Sequence, residues 1–138
     1  MTTQEIENEI VDEFAIFTDW MDKYEYLIEL GKSVPMIDEA QKTEDNLIQG
    51  CQSRVWLDCR IEDGKLHFKA DSDAIITKGI ISLLIRVFND RTPEEVLEAN
   101  LDFIEQIGLK ENLSPTRANG LVSMINKIRA YALTYKMK

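Results

Sequence analysis

The chain has 138 residues, with 16 basic against 25 acidic side chains, a formal charge of −9 and 44% hydrophobic residues. That length is expected to fold as one domain over residues 1–138 with a real core, and an acidic balance with no basic stripe argues against a nucleic-acid partner. Two cysteines and one histidine are too few for a closed zinc site or an all-cysteine iron–sulfur site, each of which takes four ligands, so no metal is expected.

No signal-peptide pattern opens the chain. The longest apolar stretch, residues 74–88, is interrupted by Lys78 and Arg86 and is too short to span a bilayer. The expectation is a cytoplasmic protein with no membrane partner. A reducing compartment also argues against a structural disulfide between Cys51 and Cys59.

In chain order, Ile6, Ile10, Phe14 and Phe17 recur at helical spacing and predict a helix over residues 3–18. Asp19 is placed to cap a second helix carrying Trp20, Tyr24, Leu27 and Ile28, and Gly31 to end it. These two helices are expected to form a hairpin. The period then vanishes over residues 32–50, which include Pro35 and a polar tract, and a structureless connection of that length in a small domain points to function.

After Cys51 the period becomes two. Val55, Leu57, Cys59 and Ile61 face one way, and Arg54, Trp56, Asp58 and Arg60 the other. Asp63-Gly64 signals a tight hairpin, and the return strand sets Leu66, Phe68 and Ala70 against His67 and Lys69. Two strands alone are marginal, so a third is expected from residues 43–48.

Asp71-Ser72-Asp73 is expected to cap a largely apolar, central helix running to Phe88. Thr92-Pro93-Glu94-Glu95 combines a capping box with proline at the first helical position. A short helix is expected over residues 102–107, closed by Gly108, and Ser114-Pro115 opens the last helix. Leu121, Met124, Ile125, Ile128, Ala132 and Leu133 form its apolar stripe. Helices, a small antiparallel sheet and more helices make an α+β fold.

Cys51 is the candidate for chemistry, because it follows a glycine at the end of the irregular segment, where a loop can present a thiol. The thiolate is the reactive form, and Arg54 is close enough in sequence to favour it if the geometry allows. Cys59 shares a strand face with core residues and reads as buried; a redox pair with Cys51 would need it exposed. His67 could pair with Cys51 in a thiol hydrolase if the two side chains meet. Asp71 and Asp73 have no other metal ligands near them in sequence, so capping is the simpler role.

Residues 48–56 (IQGCQSRVW) resemble the signature of the SufE, or iron–sulfur metabolism associated, family. Three further segments agree in order: 24–31 (YEYLIELG), 71–79 (DSDAIITKG) and 113–120 (LSPTRANG). The resemblance implies an α+β fold like that of IscU-type scaffolds, without the scaffold's three cysteine ligands. It implies that Cys51 accepts sulfur as a persulfide, that Gly50, Gln52 and Ser53 shape its loop, and that Arg117 contacts the site or a partner. The implied partner is a pyridoxal-phosphate cysteine desulfurase of the SufS or CsdA type, which the chain would stimulate, with a downstream iron–sulfur scaffold as recipient. Pyridoxal phosphate belongs to that desulfurase, and no cofactor is implied for the chain itself. The remaining alternative is a module that regulates a desulfurase without carrying sulfur.

Overall fold

The alternation after Cys51 becomes strand β1 (Val55–Glu62), and Asp63-Gly64 turns the chain back into β2 (Lys65–Ser72). Both turn residues have positive φ, 51° and 77°, the type I′ geometry that matches strand twist. In this computed structural model, which describes residues 2–138, the strands pair antiparallel from Val55 opposite Ser72 to Glu62 opposite Lys65. Val55, Leu57 and Cys59 are buried together with Leu66, Phe68 and Ala70, while Ile61 near the turn is exposed.

The expected third strand does not form; the sheet has two strands. Residues 43–48 contribute one bridge, Leu47 opposite Trp56, and otherwise hold the 3-10 turn Glu44–Asn46, with a second such turn, Glu39–Gln41, just before them. Both sheet edges are instead satisfied at points. On the β1 edge, the carbonyls of Val55, Leu57 and Cys59 accept from the Ile48 amide at 2.8 Å and from the Tyr131 and Tyr135 hydroxyls at 2.9 Å each. On the β2 edge, Leu66 exchanges backbone bonds with Asp90 and Arg91, the Phe68 amide donates to Asn89 Oδ1, and Ala70 bonds to Pro35 and Ile37. Backbone groups at an edge need partners, and here side chains and single amides supply them in place of a strand.

Helix α1 (Thr3–Phe14) is capped by Thr2 and Glu5, and α2 (Trp20–Gly31) by Asp19. Helix α1 ends short of the expected residue 18. Phe17 lies in the following turn and packs on Tyr26 with ring centroids 5.1 Å apart. The two helices meet at that aromatic cluster, and the expected hairpin gives way to a different arrangement in which both lie against α3 (Ile75–Phe88). The reason is that α3 is apolar almost all round, burying Ile76, Ile80, Ile81, Leu83, Leu84, Ile85, Val87 and Phe88. Gly31 is the last helical residue of α2, without positive φ. It and Gly79 let the two backbones touch: a Cβ on Gly79 would stand 2.1 Å from the Leu27 carbonyl oxygen.

The expected capping of α3 by Asp71 and Asp73 is also corrected. Ala74 occupies the cap position with no side-chain bond, and its amide donates to Ser72 Oγ. Asp71 takes ion pairs from Lys42 at 2.7 Å and Lys78 at 3.1 Å, and Asp73 accepts from the Arg54 amide. The acidic residues thus tie the irregular segment to the sheet.

Thr92 and Glu95 close the capping box of α4 (Pro93–Glu98). The short helices α5 (Phe103–Gln106) and α6 (Leu109–Asn112) flank Gly108 at φ 73°. Ser114 accepts from the Arg117 amide at the start of α7 (Pro115–Lys136), which packs on α3 and α4 through Leu121, Met124, Ile128 and Ala132. Leu133, expected in that stripe, is exposed, because the tyrosines on either side turn toward β1. No helix among the described residues is long and apolar enough to cross a membrane. The architecture is α+β, a two-stranded antiparallel sheet against a helical layer.

Candidate functional site

The Cys51 loop is closed at its base where the Ile48 amide donates to the Val55 carbonyl. Gly50 has φ +90°, a conformation L side chains rarely adopt, and a Cβ there would stand 2.5 Å from Ser123 Oγ on α7. Beyond the cysteine, the Arg54 amide donates to Asp73 Oδ1 at 3.1 Å, and the Arg54 carbonyl accepts from Ser72 Oγ at 2.8 Å. A glycine pressed to α7 and an arginine backbone pinned to β2 therefore bracket the Cys51 segment.

Cys51 faces a cleft of about 60 Å³ between the loop, α3 and α7. Gln52 and Ser53 line it from the loop, Thr77 and Ile80 from α3, and Thr116, Arg117, Gly120 and Met124 from α7. The thiol is half-buried and donates to the Gly120 carbonyl oxygen at 3.7 Å. Burial pushes its pKa up, which favours the neutral thiol. The expectation that neighbouring positive charge favours the thiolate is thus not met in this closed arrangement. Arg54 lines a separate hollow with Lys42 and Trp56; Arg117 alone of the two arginines shares the cleft.

The structure brings Cys51, Gln52, Ser53 and Arg117 to one cleft and puts Gly50 at the loop's point of contact with α7. Sequence reasoning missed Thr77, Ile80, Thr116, Gly120 and Met124 in the thiol's cleft, and Ser123 beside Gly50. The signal for some was present: Thr77, Thr116 and Gly120 all fall inside the segments 71–79 and 113–120 that carry the family resemblance.

His67 does not join the site. It pairs with Arg60 on the hairpin and lines a hollow with Asp58, Glu62 and Lys69, about 17 Å along the strand from Val55 at the usual rise per residue. Cys59 is 4% exposed, with burial and the nearby Asp58 charge pushing its pKa up to about 12. Both cysteines are free. Thus a Cys51–His67 hydrolase lacks its base, and a Cys51–Cys59 redox pair lacks an accessible second thiol. Among the described residues no three His, Cys, Asp or Glu side chains are grouped to hold a metal ion.

A family model described as the SufE Fe–S metabolism associated domain matches residues 8–132. An uncharacterized SufE-like protein of Rhizobium meliloti is 41% identical over 130 residues, covering 91% of this chain and 93% of its own. One from Synechocystis sp. is 38% identical over 128 residues, covering 93% and 80%. The solution structure of a hypothetical protein from Thermus thermophilus superposes with a TM-score of 0.79 at 21% identity, covering 96% of this chain and 97% of that one. At that identity it speaks for the fold alone. With the family model spanning nearly the whole sequence and relatives agreeing along it, the chain belongs to the SufE family, which is associated with iron–sulfur metabolism.

Proposed function

We propose that this protein is a sulfur carrier: Cys51 takes sulfane sulfur as a persulfide from a pyridoxal-phosphate cysteine desulfurase of the SufS or CsdA type, stimulates that enzyme by clearing its sulfur, and passes the sulfur to an iron–sulfur scaffold. The observation that carries this reading is a nucleophile without a base. The Cys51 cleft is lined by hydroxyls, an arginine and apolar side chains, with no histidine or carboxylate among the lining residues. That set suits holding and handing on a sulfur more than hydrolysis, which needs a group to activate water.

When the loop docks on the desulfurase, Cys51 leaves the cleft and the burial that holds its pKa up is removed. The Cys51 thiol loses its proton to solvent, and the thiolate attacks the outer sulfur of the desulfurase persulfide. A new S–S bond forms on Cys51, the donor's S–S bond breaks, and its electron pair departs on the desulfurase cysteine as thiolate. No external oxidant or reductant enters. Arg117 in the cleft wall supplies positive charge beside the sulfur, and Gly50, Gln52 and Ser53 set the loop's path. A cytoplasmic setting, reducing enough to keep both cysteines as thiols, suits this chemistry.

The test is intact mass after mixing the protein with a cysteine desulfurase and cysteine without reductant, beside Cys51→Ser. The expected result is a gain of about one sulfur mass, reversed by dithiothreitol and absent from the variant, as thiol exchange requires. Stimulated desulfurase turnover with no mass gain would mean a regulatory module instead.

A further inference from the structure

Thr77 projects from α3 into the Cys51 cleft and is 6% exposed. Among the described residues its hydroxyl makes no protein hydrogen bond and is not sealed from solvent, so it opens onto the cleft and is free to bond whatever enters it. The resting thiol does not use it, because the Cys51 sulfhydryl donates to Gly120. Arg117 stands in the same cleft. The polar equipment of the cleft therefore exceeds what the thiol alone employs.

A second sulfur would extend the Cys51 side chain by one S–S bond of about 2 Å. The cleft, about 60 Å³, has room for it, since about 10–15 Å³ on this measure already holds a water. A hydropersulfide is more acidic than its parent thiol, so the added sulfur carries negative charge near neutral pH. An anion in a half-closed cleft needs hydrogen-bond donors and a compensating cation. A hydroxyl can donate one bond, and a guanidinium only donates.

We infer that Thr77 donates a hydrogen bond to the terminal sulfur of a Cys51 persulfide, with Arg117 as the compensating charge, so that the cleft is a holding site for the persulfide anion. This rests on the sulfur-carrier reading and adds to it a place where the sulfur waits between donor and recipient. Thr77 is then a persulfide-binding residue, and the cleft shields the sulfur from small thiols.

The test dispenses with the desulfurase. The full chain is treated with inorganic polysulfide, from which the Cys51 thiolate takes one sulfur and releases the shortened polysulfide. The rate of persulfide alkylation by iodoacetamide is then followed against pH by intact mass. Thr77→Val is expected to raise the pH midpoint by about one unit, the loss of one hydrogen bond to an anion, and to speed removal of the sulfur by dithiothreitol. Thr77→Ser restores both, and neither substitution moves the midpoint of the unloaded thiol. Thr77→Ala, a second hydroxyl-free variant, guards against misfolding of the first and should give the same rise. An unchanged persulfide midpoint, an equal shift of the unloaded thiol, or no loading of Cys51 by polysulfide overturns the inference. Failure to gain sulfur from any desulfurase, with polysulfide loading intact, counts against the carrier reading separately.

Discussion

The Cys51 sulfhydryl reaches the Gly120 carbonyl oxygen at 3.7 Å, joining the loop before β1 to the last helix across 69 residues of sequence. In this position the thiol is held neutral by burial and faces the cleft. On the sulfur-carrier reading, a thiol that is to receive sulfur also risks oxidation to sulfenic and sulfinic acids, and the thiolate is the form that oxidises. The closed position therefore protects Cys51 while making it slow to react. On the same reading, presenting Cys51 to a partner moves the segment between Gly50 and Arg54.

If the Arg54–Asp73 bond holds the loop closed, Asp73→Ala should loosen it. The Arg54 amide loses its side-chain acceptor, and a bond of this kind contributes about 1 kcal/mol net. Cys51 alkylation near neutral pH should speed up by about fivefold, with global stability lower by a similar energy. An alkylation rate equal to the parent's would show that the loop is closed by α7 alone.

Gly79→Ala tests the packing of α2 on α3. The new Cβ would lie 2.1 Å from the Leu27 carbonyl oxygen and 2.7 Å from its carbon. Both are backbone atoms, so no rotamer change relieves the contact and the helices must separate. Overpacking of this severity is expected to cost about 3 kcal/mol or more in urea unfolding. A loss under about 1 kcal/mol would mean that the helices slide apart freely, unlike a close-packed core.

The Cys59 thiol should make the fold sensitive to alkali. Its pKa rises from 9.0 to about 12 on folding, so between those values the unfolded chain has lost a proton that the native chain keeps. Fewer protons bound in the unfolded state means that stability falls as pH rises. Below 9.0 both states hold the proton and the effect is absent. Cys59→Val removes the group. Its stability relative to the parent should improve by about 1.4 kcal/mol between about pH 8 and pH 10, measured by urea unfolding. A pH-independent difference would contradict the burial of a titrating thiol.

Much of the secondary structure could be read from short stretches. Asp63-Gly64 specifies its own turn because positive φ at two adjacent positions is a local demand. Thr92 and Glu95 satisfy each other's backbone amides within one helical turn. Ser114-Pro115 starts α7 by the same local means, and the alternation from Val55 to Cys59 reports burial directly. Expectation and structure part where a residue answers to distant partners. Asp71 has the composition of a cap, but Lys42 and Lys78 claim it. A third strand over residues 43–48 is expected because two strands alone are marginal, yet Tyr131 and Tyr135 complete the sheet from α7.

The candidate site divides the same way. Local sequence around Gly50-Cys51 is enough to pick out the cysteine, since the glycine's backbone conformation and the following strand are encoded within a few residues. Whether that thiol is exposed or covered, charged or neutral, depends on which side chains arrive from α3 and α7. Thr77, Arg117 and Gly120 share the Cys51 cleft only because α3 buries nearly its whole surface and draws both the hairpin and α7 onto itself. Hydrophobic burial is non-directional, so the pattern of apolar residues says that such packing occurs. The close fit of backbones and side chains in the packed chain sets which polar groups end up beside the sulfur.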